Sequence, residues 1–103
     1  MTEQNIQAEN SEQADMFDRL KELSAALLTP FEIAIILNIP PGERKAFCTR
    51  CRSQEGTPEY EAYYSGRLTT KLELRKNIIK LAKAGSPAAE PLAERFLHEQ
   101  NID

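Results

Sequence analysis

The stretch from Thr29 to Arg52, TPFEIAIILNIPPGERKAFCTRCR, limits what this chain can fold into more than any other. Thr29-Pro30-Phe31-Glu32 is a helix start. The Thr hydroxyl caps orphan amides, Pro30 sits where no N–H is needed, and Glu32 closes a capping box. Ile33, Ile35, Ile36 and Leu37 leave almost no polar face, so this short helix is expected to be buried on nearly every side. Ala34 is small enough for another helix to approach. Asn38 stands where a turn between crossed helices needs a left-handed residue. Ile39 plugs the angle, and Pro40-Pro41 restart the chain at the next helix. Small residue, turn residue and apolar plug together form a helix-turn-helix pattern.

The second helix, about Pro41 to Arg52, divides its faces. At 100° per residue, Phe47, Cys48 and Cys51 fall on one side. Lys45, Thr49, Arg52 and Ser53 fall opposite, with Arg50 on the flank. An apolar inner face and a Lys/Thr/Arg/Ser outer face suit a helix lying in the DNA major groove. In that reading Lys45, Thr49 and Arg52 meet base edges, Ser53 lies beside them, and Arg44 and Arg50 hold phosphates. The plainer reading is a solvated surface helix. Arg44 stands in a first-turn position where an apolar residue would pack better.

Charge is distributed unevenly. The net value of -3 over 103 residues announces no nucleic-acid partner. Residues 1–43, however, carry two basic and eight acidic side chains, whereas residues 44–83 carry ten basic and four acidic. Residues 84–103 carry one basic and four acidic. Phosphates sense local charge within a Debye length of about 8–10 Å. The basic segment begins inside the proposed recognition helix.

Few β-branched runs and regularly spaced helix punctuation give an all-α fold. Residues 1–14 are polar and acidic, with Ile6 as the large apolar residue, and are expected to be disordered. Residues 15–56 form the helix-turn-helix domain. Its first helix runs from Ala14 or Asp15 to about Leu28, with Met16, Leu20, Leu23 and Leu27 in one stripe. Residues 57–103 form a helical extension. Thr57-Pro58 opens a helix through Tyr60, Tyr63 and Tyr64, which Gly66 either kinks or leaves continuous to Ala84. From Leu68 onward its apolar residues cover half the circumference: Leu68, Leu72 and Ile79 on one side, Leu74, Ile78 and Leu81 on the other. That excess points to a homo-oligomer interface, or to cover by the last helix. Lys76, Lys80 and Lys83 share a polar side that meets phosphates or keeps the helix soluble. Gly85 ends this helix, a first turn spans 87–90, and the final helix runs from Pro91 to about Gln100 on Ala89, Leu92 and Phe96.

No apolar run approaches the roughly 20 residues of a membrane span. The N-terminus lacks the basic and apolar regions of a signal peptide, so a cytoplasmic protein is expected. Cys48 and Cys51 have the spacing of half a zinc site, but His98 is the sole further soft ligand, so buried thiols are expected and no metal or cofactor. No phosphate loop is present, so neither ATP hydrolysis nor other enzyme activity is expected. The three tyrosines stack on bases or form half-buried core.

The segments LLTPFEIAIILNIPPGE and AYYSGRLTTKLELRKNIIKLAKAGSPAA together resemble small-subunit terminase-like DNA-packaging proteins of bacteriophages and prophages. The matching residues are Thr29, Glu32, Ile33, Ala34 and Leu37, then Ala62, Tyr63, Gly66, Glu73, Leu74, Arg75, Ala82, Gly85 and Ser86. The resemblance covers residues 22–100. It implies recognition of double-stranded viral DNA by the helix-turn-helix, ring-like assembly through the later helices, and a tail contact to the large terminase ATPase subunit. The chain is short for that family, with little tail beyond residue 100. A prophage transcriptional regulator of the same fold and a helical protein-interaction module are the alternatives.

Overall fold

The computed structural model describes the backbone of residues 2–100 and the side chains of residues 13–100. The fold is all-α. Among the described residues five helices follow in order: α1 (Thr2–Ala25), α2 (Pro30–Ile36), α3 (Arg44–Ser53), α4 (Pro58–Lys83) and α5 (Glu90–Glu99), with a 3₁₀ turn at Pro41–Glu43 leading into α3. The chain divides after Thr70 into two compact units, residues 1–70 and 71–103.

The first unit is built on the helix-turn-helix stretch. Thr29 caps α2 in the expected capping box: its N–H donates to Glu32 Oε1 at 2.9 Å, and the Glu32 N–H donates to Thr29 Oγ1 at 3.3 Å. The Thr29 N–H first, and the Thr29 hydroxyl after it, favour the carboxylate and hold the Glu32 pKa below its ordinary value. Asn38 takes the left-handed conformation, φ 59°. The chain turns there, and the Ile39 N–H donates to the Ala34 carbonyl at 2.9 Å. Leu20, Ile33, Ala34, Phe47, Cys51 and Tyr63 form the buried core, with Phe17, Leu23, Leu37 and Ile39 packed around it.

Four expectations need correction. Helix α2 is not buried all round. Pro30, Ile33 and Ala34 face the core, but Phe31, Ile35 and Ile36 are exposed, because seven residues meet neighbours on one side only. Helix α1 begins at Thr2, not near Ala14. Its first turns hold Glu3, Gln4, Gln7, Ala8, Glu9 and Glu12, all good helix formers; the side chains of the expected disordered tail to residue 12 lie outside the described residues. Helix α1 also ends at Ala25 instead of Leu28, with Leu27 in the left-handed region, φ 66°.

The fourth correction concerns the boundary expected after residue 56. The first half of α4 belongs to the first unit. Tyr63 completes the core, and the buried Ser24 hydroxyl donates to the Tyr63 carbonyl. Arg67 reaches back to the Leu28 carbonyl at 2.9 Å, while the Thr70 hydroxyl donates to the Ala25 carbonyl. These bonds give donors to the last carbonyl of α1 and to one in the connection that follows it. Gly66 neither ends nor breaks α4, which is continuous from Pro58 to Lys83. A Cβ there would meet the Lys21 carbonyl oxygen at 2.2 Å, so glycine permits α1 and α4 to touch backbone to backbone.

The second unit joins the later half of α4 to α5. Gly85, φ 91°, closes α4, and the Ser86 N–H donates to the Leu81 carbonyl at 3.0 Å. Ala89 is buried, whereas Leu92 is exposed and Phe96 half-buried. Arg75 lies over the Phe96 ring, 4.2 Å from its centroid, and pairs with Glu99. The Arg75 hydrogen bond lowers the Glu99 pKa.

Candidate nucleic-acid interface

Helix α3 forms because an apolar stripe anchors it. Phe47 and Cys51 are buried and Cys48 half-buried. With that stripe inward, helical geometry turns Lys45, Thr49, Arg52 and Ser53 outward, and all four are exposed. The structure therefore brings four of the six expected DNA-facing residues onto one outer face. Gly42, Lys45, Ala46, Thr49, Arg50 and Gln54 line a shallow hollow along its side.

Arg44 and Arg50 are engaged elsewhere. Arg44 Nε donates to the Ile39 carbonyl at 2.9 Å. Pro40 and Pro41 have no N–H to offer at this turn, so the guanidinium closes it and the half-buried stem packs beneath. That explains an arginine where an apolar residue was expected. Arg50 lies 3.3 Å from Glu59, whose side chain is largely buried, and ties α3 to the start of α4. Neither is placed as a freely presented phosphate ligand.

The hydroxyls of the outer face fold back on their own helix. Thr49 Oγ1 donates to the Lys45 carbonyl and Ser53 Oγ to the Thr49 carbonyl, each at 3.0 Å. Both oxygens retain acceptor capacity, and the Thr49 methyl remains available for apolar contact. Lys45 and Arg52 are the cations of this face without an ion pair among the described residues.

No family model, curated protein or solved structure matches this chain. The helix-turn-helix geometry therefore stands on its own residues.

The tyrosines resolve toward packing. Tyr63 is buried beneath Arg67, and Tyr60 and Tyr64 are half-buried with centroids 4.5 Å apart. Burial, with Cys48 adding to it, pushes the Cys51 thiol up to about 12, so it stays protonated at neutral pH. Both cysteines are free thiols. Among the described residues no cluster of three His, Cys, Asp or Glu side chains could hold a metal ion, and no helix is long and apolar enough to cross a membrane.

The six residues expected at an oligomer interface are distributed over both units. Leu68, Leu72, Leu74, Ile79 and Leu81 are exposed, and Ile78 is half-buried. Glu59 and Arg67 were missed as structural partners. The available signals were an acid in the first turn of α4 and an arginine directly after Gly66.

Proposed function

We propose that this chain binds double-stranded DNA through α2, the Asn38 turn and α3, most concretely as a terminase-small-subunit-like packaging protein of phage or prophage origin. The observation that carries the reading is the exposed Lys45–Thr49–Arg52–Ser53 face on a helix anchored by Phe47 and Cys51. Lys45 and Arg52 reach guanine edges or phosphates, and Thr49 offers its methyl to thymine. Arg44 and Arg50 fix the angle and seating of α3 instead of touching DNA. In this role the chain performs no catalysis, acts in the cytoplasm, and supplies DNA recognition to a partner such as the large terminase ATPase.

The experiment is fluorescence anisotropy with duplex DNA, first random and then enriched for the preferred site. Lys45→Ala and Arg52→Ala should each weaken binding to that site by about 1–3 kcal/mol while leaving thermal unfolding unchanged. Arg44→Ala and Arg50→Ala should lower stability first. Two α3 variants that bind as tightly as the parent would remove this helix as the recognition element.

A protein-interaction module is the second reading, favoured by the exposed Phe31 and Ile35 of α2. An interface of that kind keeps its strength as salt rises, whereas phosphate binding weakens steeply.

A further inference from the structure

We propose that the second unit docks face to face with a second copy of this chain, through the side bearing Leu72, Ile79 and Leu97. This rests on residues 71–99 and is independent of the DNA reading. Leu72, Ile79 and Leu97 are 54%, 39% and 65% exposed, a high value for an apolar row in so small a unit. Ile79, Ala82, Phe96 and Leu97 line a groove of about 500 Å³, with Lys83 at its edge.

Charge indicates the occupant. From Lys71 to Lys83, α4 carries five cations and one carboxylate, Glu73; α5 carries Glu90, Glu94 and Glu99 against Arg95. At 100° per residue, Lys76, Lys80 and Lys83 lie within about 60° of one another, beside Leu72 and Ile79. Glu90 and Glu94 lie within about 60° of Leu97. The face thus has a lysine edge, an apolar centre and a glutamate edge. A two-fold rotation lays the lysines of one copy on the glutamates of the other and brings the apolar centres together. A foreign partner needs no such self-complementarity. The rim ion pairs add little affinity individually but set orientation, while the apolar centre supplies the driving force.

The test is sedimentation equilibrium of the full chain at micromolar concentration. The parent should associate. Leu97→Asp should weaken association at least tenfold, as should Lys76→Glu/Lys80→Glu or Glu90→Lys/Glu94→Lys, with helicity checked by circular dichroism. Mixing the two charge-reversed variants should restore association, since each then meets opposite charge at both edges; that restoration also shows both are folded. A monomeric parent overturns the proposal, and so does an associating parent indifferent to Leu97→Asp and to the reversals. Reversed variants that remain monomeric when mixed overturn the charge pairing. Loss of DNA binding with association intact leaves the proposal standing and removes the DNA reading alone.

Discussion

A Cβ placed on Gly66 would lie 2.2 Å from the Lys21 carbonyl oxygen and 2.9 Å from the Ala25 nitrogen, and helix backbone has no rotamer with which to step aside. Two effects oppose each other in Gly66→Ala. Alanine gains about 1 kcal/mol of helix propensity, and the clash forces α1 and α4 apart. Contact at 2.2 Å decides it: a net loss above about 2 kcal/mol is expected by urea unfolding. A stabilised variant would mean that the two helices do not touch. Leu27 presents the opposite case. Its φ of 66° costs a leucine about 1–2 kcal/mol, and the exposed side chain returns little packing. Leu27→Gly should raise stability by roughly 0.5 kcal/mol, measured as a shift of the urea midpoint. Arg44 and Arg50 differ from Lys45 and Arg52 in a way that counting charges conceals, since one already donates to a carbonyl and the other is ion-paired with Glu59.

Helix α2 and its turn were the most legible element. The Thr29–Glu32 box, the left-handed Asn38 and the close approach at Ala34 were all readable, because each is fixed by local chemistry over a few residues. So was the outward turn of Lys45 and Thr49, which periodicity alone determines. What escaped notice depends on distant chain. Burial of α2 was overestimated because its neighbours cannot be counted from its own seven residues. The purpose of Gly66 is visible only once α1 lies against it. Cap chemistry also predicts acid sensitivity at this element. The lowered pKa of Glu32 contributes stability that is complete above the ordinary carboxylate value of 4.5 and is lost as pH falls through the folded value. Thr29→Ala should cost about 1 kcal/mol at neutral pH but keeps the backbone N–H that lowers the pKa most, whereas Glu32→Gln should flatten that acid limb in pH-dependent thermal melts. An unchanged limb would place the acid response in other carboxylates.

For the whole molecule, the sequence division after residue 56 differed from the observed one after Thr70 because no sequence signal marks a helix that changes partners midway. The electrostatic account changes with it. Arg44 and Arg67 donate to backbone carbonyls and Arg50 is ion-paired with Glu59, which leaves α3 with Lys45 and Arg52 as cations for phosphates. Counterion release then gives a log–log salt slope near about -2 for each bound unit. Titrating anisotropy against salt measures it. A slope near zero would dismiss phosphate binding, and a markedly steeper one would bring in the lysines of α4. The hydrogen bonds from Ser24 to Tyr63 and from Thr70 to Ala25 join residues 39 and 45 positions apart. During synthesis, α1, α2 and α3 therefore emerge before the half-helix that completes them. Until it arrives, the side of α1 reserved for Tyr63 and Gly66 stays open to water, and the nascent protein has its greatest exposure to chaperones and to its neighbours on the polysome.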